Sequence, residues 1–201
     1  CLRENTVLVH GVGLSPEDWS TVHRAGAGLV WCPASNRFLL GRTAPIGAFF
    51  EREPDSRSSV AIGTDSRLSG ARDLLDELRE ARASANLEPA DLMRMVTGNA
   101  AGLLRVPQAG RIAPGLPADL LIFPPLARDA AEALLLLERR RIRLVVVGGR
   151  PLAGSPELRA AFQARRVPTA NGTLDGEARL FDAALARRIR ASTVAEPGLA
   201  V

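Results

Sequence analysis

Lysine and tyrosine are missing altogether, and histidine and cysteine occur only twice each in 201 residues. All 26 basic side chains are therefore arginines, and they stand against 22 acids for a formal charge of +4. The arginines are scattered among acids along Asp65 to Ala85 and elsewhere, so no basic stripe forms. Aromatic residues make up 4% of the chain and none interleaves with the arginines, as a base-stacking surface would require. No nucleic-acid partner is expected. The densest basic cluster, Arg139 to Arg141 with Arg143, is read as a solvated helix end. Cys1 and Cys32 form neither a CxxC pair nor a spaced framework, which excludes a disulfide scaffold and points to a reducing, cytoplasmic setting. Apolar runs such as Ala133 to Leu137 are far too short to cross a bilayer, and no leader-like segment opens the chain, so no membrane partner is expected. Residue 1 is Cys rather than Met and a β-like run follows within a few residues. The expectation is of a chain that starts inside a fold.

What is there is enough for a core: 46% of residues are apolar, in a length that suits one domain or one and a half. Three short runs rich in β-branched residues, Thr6 to His10, Gly28 to Cys32 and Val60 to Asp65, read as buried parallel strands. Between the first two, Ser15-Pro16-Glu17-Asp18 is a helix start, with a capping serine, proline at the first helical position and acids in the first turn. That helix runs to about Arg24 and Gly26 stops it. An irregular segment separates the second and third runs. Ala71 to Ala85 then carries Leu74, Leu75, Leu78 and Ala81 at helical spacing with charges opposite. The alternation predicts an α/β fold with a parallel sheet or barrel.

Pro89 to Val106 reads as a further helical stretch. Short strands with turns follow at Gly110 to Ile112, at Ala118 to Phe123 and at Arg143 to Val147, the last closed by a hairpin-like turn at Gly148 to Pro151. After Ser155 two helical candidates, Pro156 to Arg166 and Leu180 to Arg190, are joined by a loop containing Pro, Asn and Gly. The expected divisions are a barrel portion over 1–106, a partial β-sandwich over 107–154 and a helical tail over 155–201.

His10 and Asp65 fall at the carboxyl ends of the first and third strands, the edge where the loops of parallel α/β barrels assemble an active site. A histidine there can donate, accept or shuttle a proton, and a carboxylate beside an activated water can take its proton. A strand-end His or Asp taken singly is more often a cap or turn former than a catalyst. Two at one edge strengthen the catalytic reading.

Three ordered motifs, Leu8-Val9-His10-Gly11, Trp31-Cys32-Pro33-Ala34-Ser35-Asn36 and Ile62-Gly63-Thr64-Asp65-Ser66, resemble the last three barrel strands of the amidohydrolase superfamily, in its branch of nucleobase-like deaminases and triazine hydrolases. Thr97-Gly98-Asn99-Ala100-Ala101, with Gly110-Arg111-Ile112, Gly115 and Ala118-Asp119-Leu120, is similar to that family's closing helix and its return into a small β-sandwich. Val145 to Pro151 resembles the final sandwich strand. The resemblance implies strands six to eight of a (β/α)8 barrel and hydrolysis of a non-peptide C–N bond, with deamination of a nitrogen heterocycle as the reaction. It implies Asp65 as metal ligand and general base, His10 as the group that orients or protonates the substrate, and Ser35 and Asn36 as substrate contacts, with a loop-structuring role as the alternative for these two. The implied cofactor is a divalent metal, zinc or else iron. The implied partner is a small-molecule substrate, and homo-oligomerisation is left open.

The family also uses a His-x-His pair and a further strand-end His. The other histidine here, His23, falls within a helix and reads as a surface residue. The remaining metal ligands are therefore expected to be absent from this chain, and a catalytically inactive remnant with a scaffold role is the rival reading. An α/β-hydrolase reading of TVLVHGVGLSPEDW lacks the G-x-S-x-G elbow, and a dinucleotide-binding reading of Gly11-Val12-Gly13 lacks the third glycine.

Overall fold

The structure, a computed structural model, describes residues 2–201; Cys1 lies outside them. Two compact units emerge. The first comprises residues up to Arg111 together with Asp129–Leu135, and the second comprises Ile112–Arg128 and Leu136–Val201.

The first unit is built on three parallel strands in the order β1 (Val7–Val9), β2 (Gly28–Trp31) and β3 (Val60–Ile62). The register pairs Leu8 with Leu29 and Val30 with Ala61. Helix α1 (Pro16–Arg24) connects β1 to β2 and begins as its residues dictate: Ser15 accepts from the Asp18 amide, and the Asp18 carboxylate accepts from the Ser15 amide, closing a capping box. The segment between β2 and β3, expected to be irregular, contains α2 (Pro33–Leu40) and α3 (Ile46–Arg52). Pro33 starts α2 at the first helical position, and α3 forms because Ile46, Phe49 and Phe50 all enter the core. Trp19 of α1 stacks on Phe49 with ring centroids 5.1 Å apart, and its indole N–H donates to Ser56 Oγ at 2.8 Å. A buried Trp therefore leaves no donor unsatisfied.

After β3 come α4 (Leu74–Ala85), α5 (Pro89–Met95) and α6 (Gly98–Leu103). The expected single helix over 89–106 is broken at Val96 and Thr97. The break lets Asn99, 8% exposed, send its amide to the carbonyls of Arg57 and Val60 at 2.8 and 2.9 Å. Those bonds anchor the start of β3. Helix α7 (Ala130–Leu135) completes the unit, burying Ala131, Ala133 and Leu134.

The second unit is an antiparallel sheet of six strands in the order β4-β5-β6-β8-β7-β9. Their ranges are β4 (Leu120–Ile122), β5 (Leu144–Val147), β6 (Arg150–Gly154), β7 (Thr169–Leu174), β8 (Glu177–Asp182) and β9 (Leu199–Ala200). Helices α8 (Arg159–Ala164) and α9 (Ala183–Arg190) accompany it, and its core gathers Leu144, Phe162, Val167 and Leu180. The tail over 155–201 has a helix within each expected span, α8 and α9, but the expected joining loop is instead a hairpin, since β7 and β8 pair over six residues each and continue the sheet beyond β6. The cause lies in the turn: Asp175 and Gly176 both take positive φ, 51° and 84°, which is what a two-residue hairpin with right-handed strand twist demands. Residues 110–112, expected as a strand, form none.

Arg139 is likewise not solvated. It donates to both carboxylate oxygens of Asp175, at 2.9 and 2.6 Å, and also to Glu196. Its side chain is only 13% exposed. Among the described residues no helix is long and apolar enough to cross a membrane.

Candidate active site

His10 follows β1 directly and Asp65 stands three residues beyond β3, so both lie past the carboxyl ends of parallel strands. Both adopt positive φ, 72° and 51°, in the left-handed region that residues with a Cβ rarely enter. Such backbone persists only where surrounding contacts enforce it, and it costs roughly 1–3 kcal/mol per residue. The chain holds these two side chains in place against that cost.

At His10 the Gly11 amide closes a tight turn on the Val9 carbonyl at 2.9 Å, and the contacts that hold both side chains come from the start of α2. Asn36 sends its amide N–H groups to the His10 carbonyl at 3.3 Å and to Thr43 Oγ1 at 3.1 Å. Since a carbonyl can only accept, this fixes Asn36 Oδ1 as the acceptor for the His10 ring, 2.8 Å from Nδ1. Nδ1 thus carries a proton and Nε2 of the neutral ring presents its lone pair. Nε2 is 3.9 Å from Asp65 Oδ2, in reach of a common reacting group but beyond a direct hydrogen bond. The same Asp65 oxygen accepts from Ser35 Oγ at 2.5 Å, and Ser35 Oγ lies 2.9 Å from Ser69 Oγ. The two strand-end side chains remain accessible, 40% for His10 and 33% for Asp65.

Ser35 and Asn36, expected as substrate contacts or as loop-structuring residues, are 0% and 2% exposed with polar groups bonded to Asp65 and His10, and Asn36 also lines the cleft beside His10. Ser66, open to either role, has its hydroxyl accepting from the Leu68 amide in a local turn.

Sequence reasoning missed Glu77. It lies on α4, is wholly buried, and accepts from the Ala34 amide at 2.9 Å with one oxygen and from the Ala71 amide at 3.1 Å with the other. Ala34 lies in the first turn of α2 beside Ser35, and Ala71 closes the loop that Asp65 opens, so one carboxylate ties the start of α2 to that loop. Burial pushes the Glu77 carboxyl above the ordinary glutamate range, the two amides acting against that. A signal existed in the spacing: Glu77 falls three residues after Leu74 and four before Ala81, on the face expected to be apolar. The loop between Asp65 and Ala71 doubles back tightly, and a Cβ at Gly70 would meet the Thr64 carbonyl oxygen at 2.0 Å. Cys32, 2% exposed beneath the site, has its thiol pushed up to about 11 by burial and by the nearby charges of Asp65 and Glu77.

Beside His10 opens a cleft of about 390 Å³ with mainly apolar walls, including Val12, Leu14, Leu39 and Leu40. Among the described residues no group of three or more His, Cys, Asp and Glu side chains is placed to hold a metal ion. A catalytic zinc needs about three protein ligands and an open position. His10 and Asp65 do not by themselves fit a metal centre.

A parallel sheet that presents a His and a carboxylate together past its carboxyl edge, each held by buried polar partners, defines this as an α/β protein with polar side chains gathered at the edge where such sheets carry their sites. The chain belongs to the amidohydrolase family, whose model matches residues 1–152. It is 35% identical over 130 residues to a 5-methylthioadenosine/S-adenosylhomocysteine deaminase of Haloquadratum walsbyi, covering 60% of this chain and 28% of that protein. Among solved structures, an adenosine deaminase from Xanthomonas campestris with bound zinc superposes with TM-score 0.68 and 25% identity, over 82% of this chain and 43% of that one. Atrazine chlorohydrolase from Arthrobacter aurescens complexed with zinc superposes with TM-score 0.62 and 25% identity, over 75% and 36%. The chain thus spans about 28% to 30% of the length of the curated deaminases it matches first.

Proposed function

We propose that this chain is the acid–base portion of an amidohydrolase that hydrolyses a non-peptide C–N bond in a nitrogen heterocycle, with a purine nucleoside as substrate class. The observation that carries this reading is the pairing of His10 Nε2 and Asp65 Oδ2 at 3.9 Å, both in enforced left-handed backbone. Strands β1 to β3 then correspond to strands six to eight of a (β/α)8 barrel. Asp65 takes the proton of the attacking water, and His10, its Nδ1–H anchored on Asn36, carries a proton at Nε2 to or from the ring nitrogen or departing amine. The apolar cleft beside His10 suits the flat face of a heterocycle. In the zinc-bound relatives a metal belongs to the protein, and here Asp65 is the carboxylate in position to join one; the further ligands come from outside these residues.

Relatives that act on 5-methylthioadenosine, S-adenosylhomocysteine and adenosine support the substrate class. The test is ammonia release from 5-methylthioadenosine and S-adenosylhomocysteine by the full product of the gene, before and after Asp65→Asn. Turnover that falls by roughly 10³-fold or more supports Asp65 as the base. Near-normal turnover in the variant sinks the assignment. A second reading, a catalytically silent scaffold, is favoured by the two-donor site. Absence of ammonia release from a folded, zinc-supplemented full product would establish it.

A further inference from the structure

The second unit contains a buried cation with no role in this chemistry. Arg179, on β8, is 7% exposed. Its guanidinium donates to two backbone carbonyls, those of Ala178 at 2.7 Å and of Arg140. It makes no ion pair among the described residues. A guanidinium taken out of water without a counter-charge is costly, and carbonyl partners offset only part of that cost.

Arg179 lines a surface cavity of about 340 Å³, and Arg140, Arg141 and Arg143 reach the same cavity. Arg140 is engaged by Glu138 at 2.6 Å and Arg143 by Glu157 at 2.7 Å. Arg143 Nε is nevertheless buried with no hydrogen-bond partner, and Arg141 makes no ion pair among the described residues. Ser155, 4% exposed, adds a hydroxyl to the wall. Glu177 and Glu157 also line the cavity, and of its four arginines Arg141 and the deeply buried Arg179 make no ion pair among the described residues.

We propose that this cavity binds the phosphoryl group of a small soluble molecule, with Arg179 and Arg141 as its cationic contacts. The planar fork of arginine matches oxyanion geometry in pairs of hydrogen bonds. The two guanidiniums without an acid partner together offer more N–H groups than the two oxygens of a carboxylate use, which suits the three terminal oxygens of a phosphoryl group. The site is separate from the acid–base pair, so it stands whether or not that reading does.

The experiment is a titration of the full chain with sodium phosphate at constant ionic strength set by sodium chloride, followed through the arginine Nε–H signals in nitrogen-15 spectra and through the heat of binding. Saturable binding with a dissociation constant of about 1 mM is expected. Arg179→Gln should weaken it by about tenfold or more, and Arg141→Gln, at an exposed position that does not support the fold, by about threefold. Arg188→Gln, on exposed α9, should leave it unchanged. Acetate should bind more weakly than phosphate, and vesicles containing phosphatidic acid should not compete for the chain. The proposal is overturned by the lack of a saturable response up to about 50 mM phosphate, by acetate binding as tightly, by vesicle capture in place of soluble binding, or by Arg141→Gln binding like the parent chain. The last of these decides the matter even where Arg179→Gln does not fold.

Discussion

In the first unit the hydroxyl, amide and carboxylate groups converge on one edge of three parallel strands, where Ser35 holds Asp65, Asn36 holds His10 and Glu77 holds the loops between them. In the second unit the charges are mostly paired off around turns and sheet ends, as Arg139 is by Asp175 and Glu196, while an apolar cluster centred on Phe162 does the packing. Both arrangements contain left-handed residues that are not glycine. Asp175 takes that conformation in a hairpin turn and His10 in a tight turn in which the Gly11 amide donates to the Val9 carbonyl at 2.9 Å, but the His10 and Asp65 side chains are in addition held by Asn36 and Ser35. The difference separates a left-handed turn that only reverses the chain from left-handed positions whose side chains are also held by buried polar partners.

The largest effect should come from the packing side of this contrast. Phe162→Ala removes a ring with 0% exposure from among Leu144, Val167 and Leu180, and should destabilise the second unit by about 3–5 kcal/mol. Urea denaturation read at the backbone amides of β5, β6 and β8 checks this. A loss below about 1 kcal/mol would mean the cluster is not the core of that sheet.

Next comes the polar side. Glu77→Ala leaves the part-buried amides of Ala34 and Ala71 without their carboxylate acceptor, at about 1–3 kcal/mol after the relief of a buried carboxylate is allowed for. Its distinguishing mark is local: hydrogen exchange should accelerate at Ala34 and Ala71 beyond what the lost global stability accounts for. Uniform acceleration across the first unit would make Glu77 a general core residue rather than a loop clamp.

How much of this could be read from residues alone follows the same divide. The strand cores, the capping box of α1 and α4 were legible because each rests on local signals: β-branched runs, Ser-Pro-Glu-Asp, and leucines at helical spacing. His10 and Asp65 were legible from their place past strand ends. The roles of Ser35 and Asn36 were not, since which side of α2 is buried depends on partners 26 and 30 residues away. Glu77 was hidden by the rule that charges face solvent, although its spacing against Ala81 contradicted that rule. The β7–β8 hairpin was legible in principle, from Asp175-Gly176 between two strand-length segments. Its span reads instead as a loop followed by a helix from Leu180, because Leu180 to Arg190 has helical spacing, which α9 satisfies only from Ala183.

Ser35→Ala should have an intermediate effect of about 1.5–3 kcal/mol, the worth of a bond to a charged acceptor. Its sharper consequence is positional, because Asp65 loses the donor that fixes Oδ2 near His10. A nuclear Overhauser contact between the His10 ring and the Asp65 side chain should weaken in the variant. If the contact persists unchanged, the left-handed backbone alone aims the carboxylate.

A smaller effect appears as pH dependence. Burial raises the folded-state value of Glu77 above the ordinary 4.5, so the folded chain holds that proton more tightly than the unfolded chain. The stabilisation from this linkage is complete below about 4.5 and is lost as pH rises through the folded value. Glu77→Gln cannot titrate. The stability of the parent chain should therefore fall more steeply than that of the variant as pH rises from 4.5 toward neutrality. Parallel curves would show that the carboxylate is ionised at no net cost.

The slightest disturbance to the fold, and the finest probe of the contrast, is the reactivity of Cys32. Its thiol is held up to about 11, first by burial and then by the charges of Asp65 and Glu77, so at pH 8 it should carry roughly a hundredfold less thiolate than a thiol at the ordinary value of 9.0. Iodoacetamide should label Cys32 slowly in the native chain and at an ordinary rate in urea, with the site resolved by peptide mass spectrometry. Glu77→Gln removes one of the two charges and should speed native labelling modestly even after correction for local opening. Fast labelling of the parent chain would mean that the loops beneath the His10–Asp65 pair open readily, and the network that distinguishes the first unit from the second would then be too loose to aim either side chain.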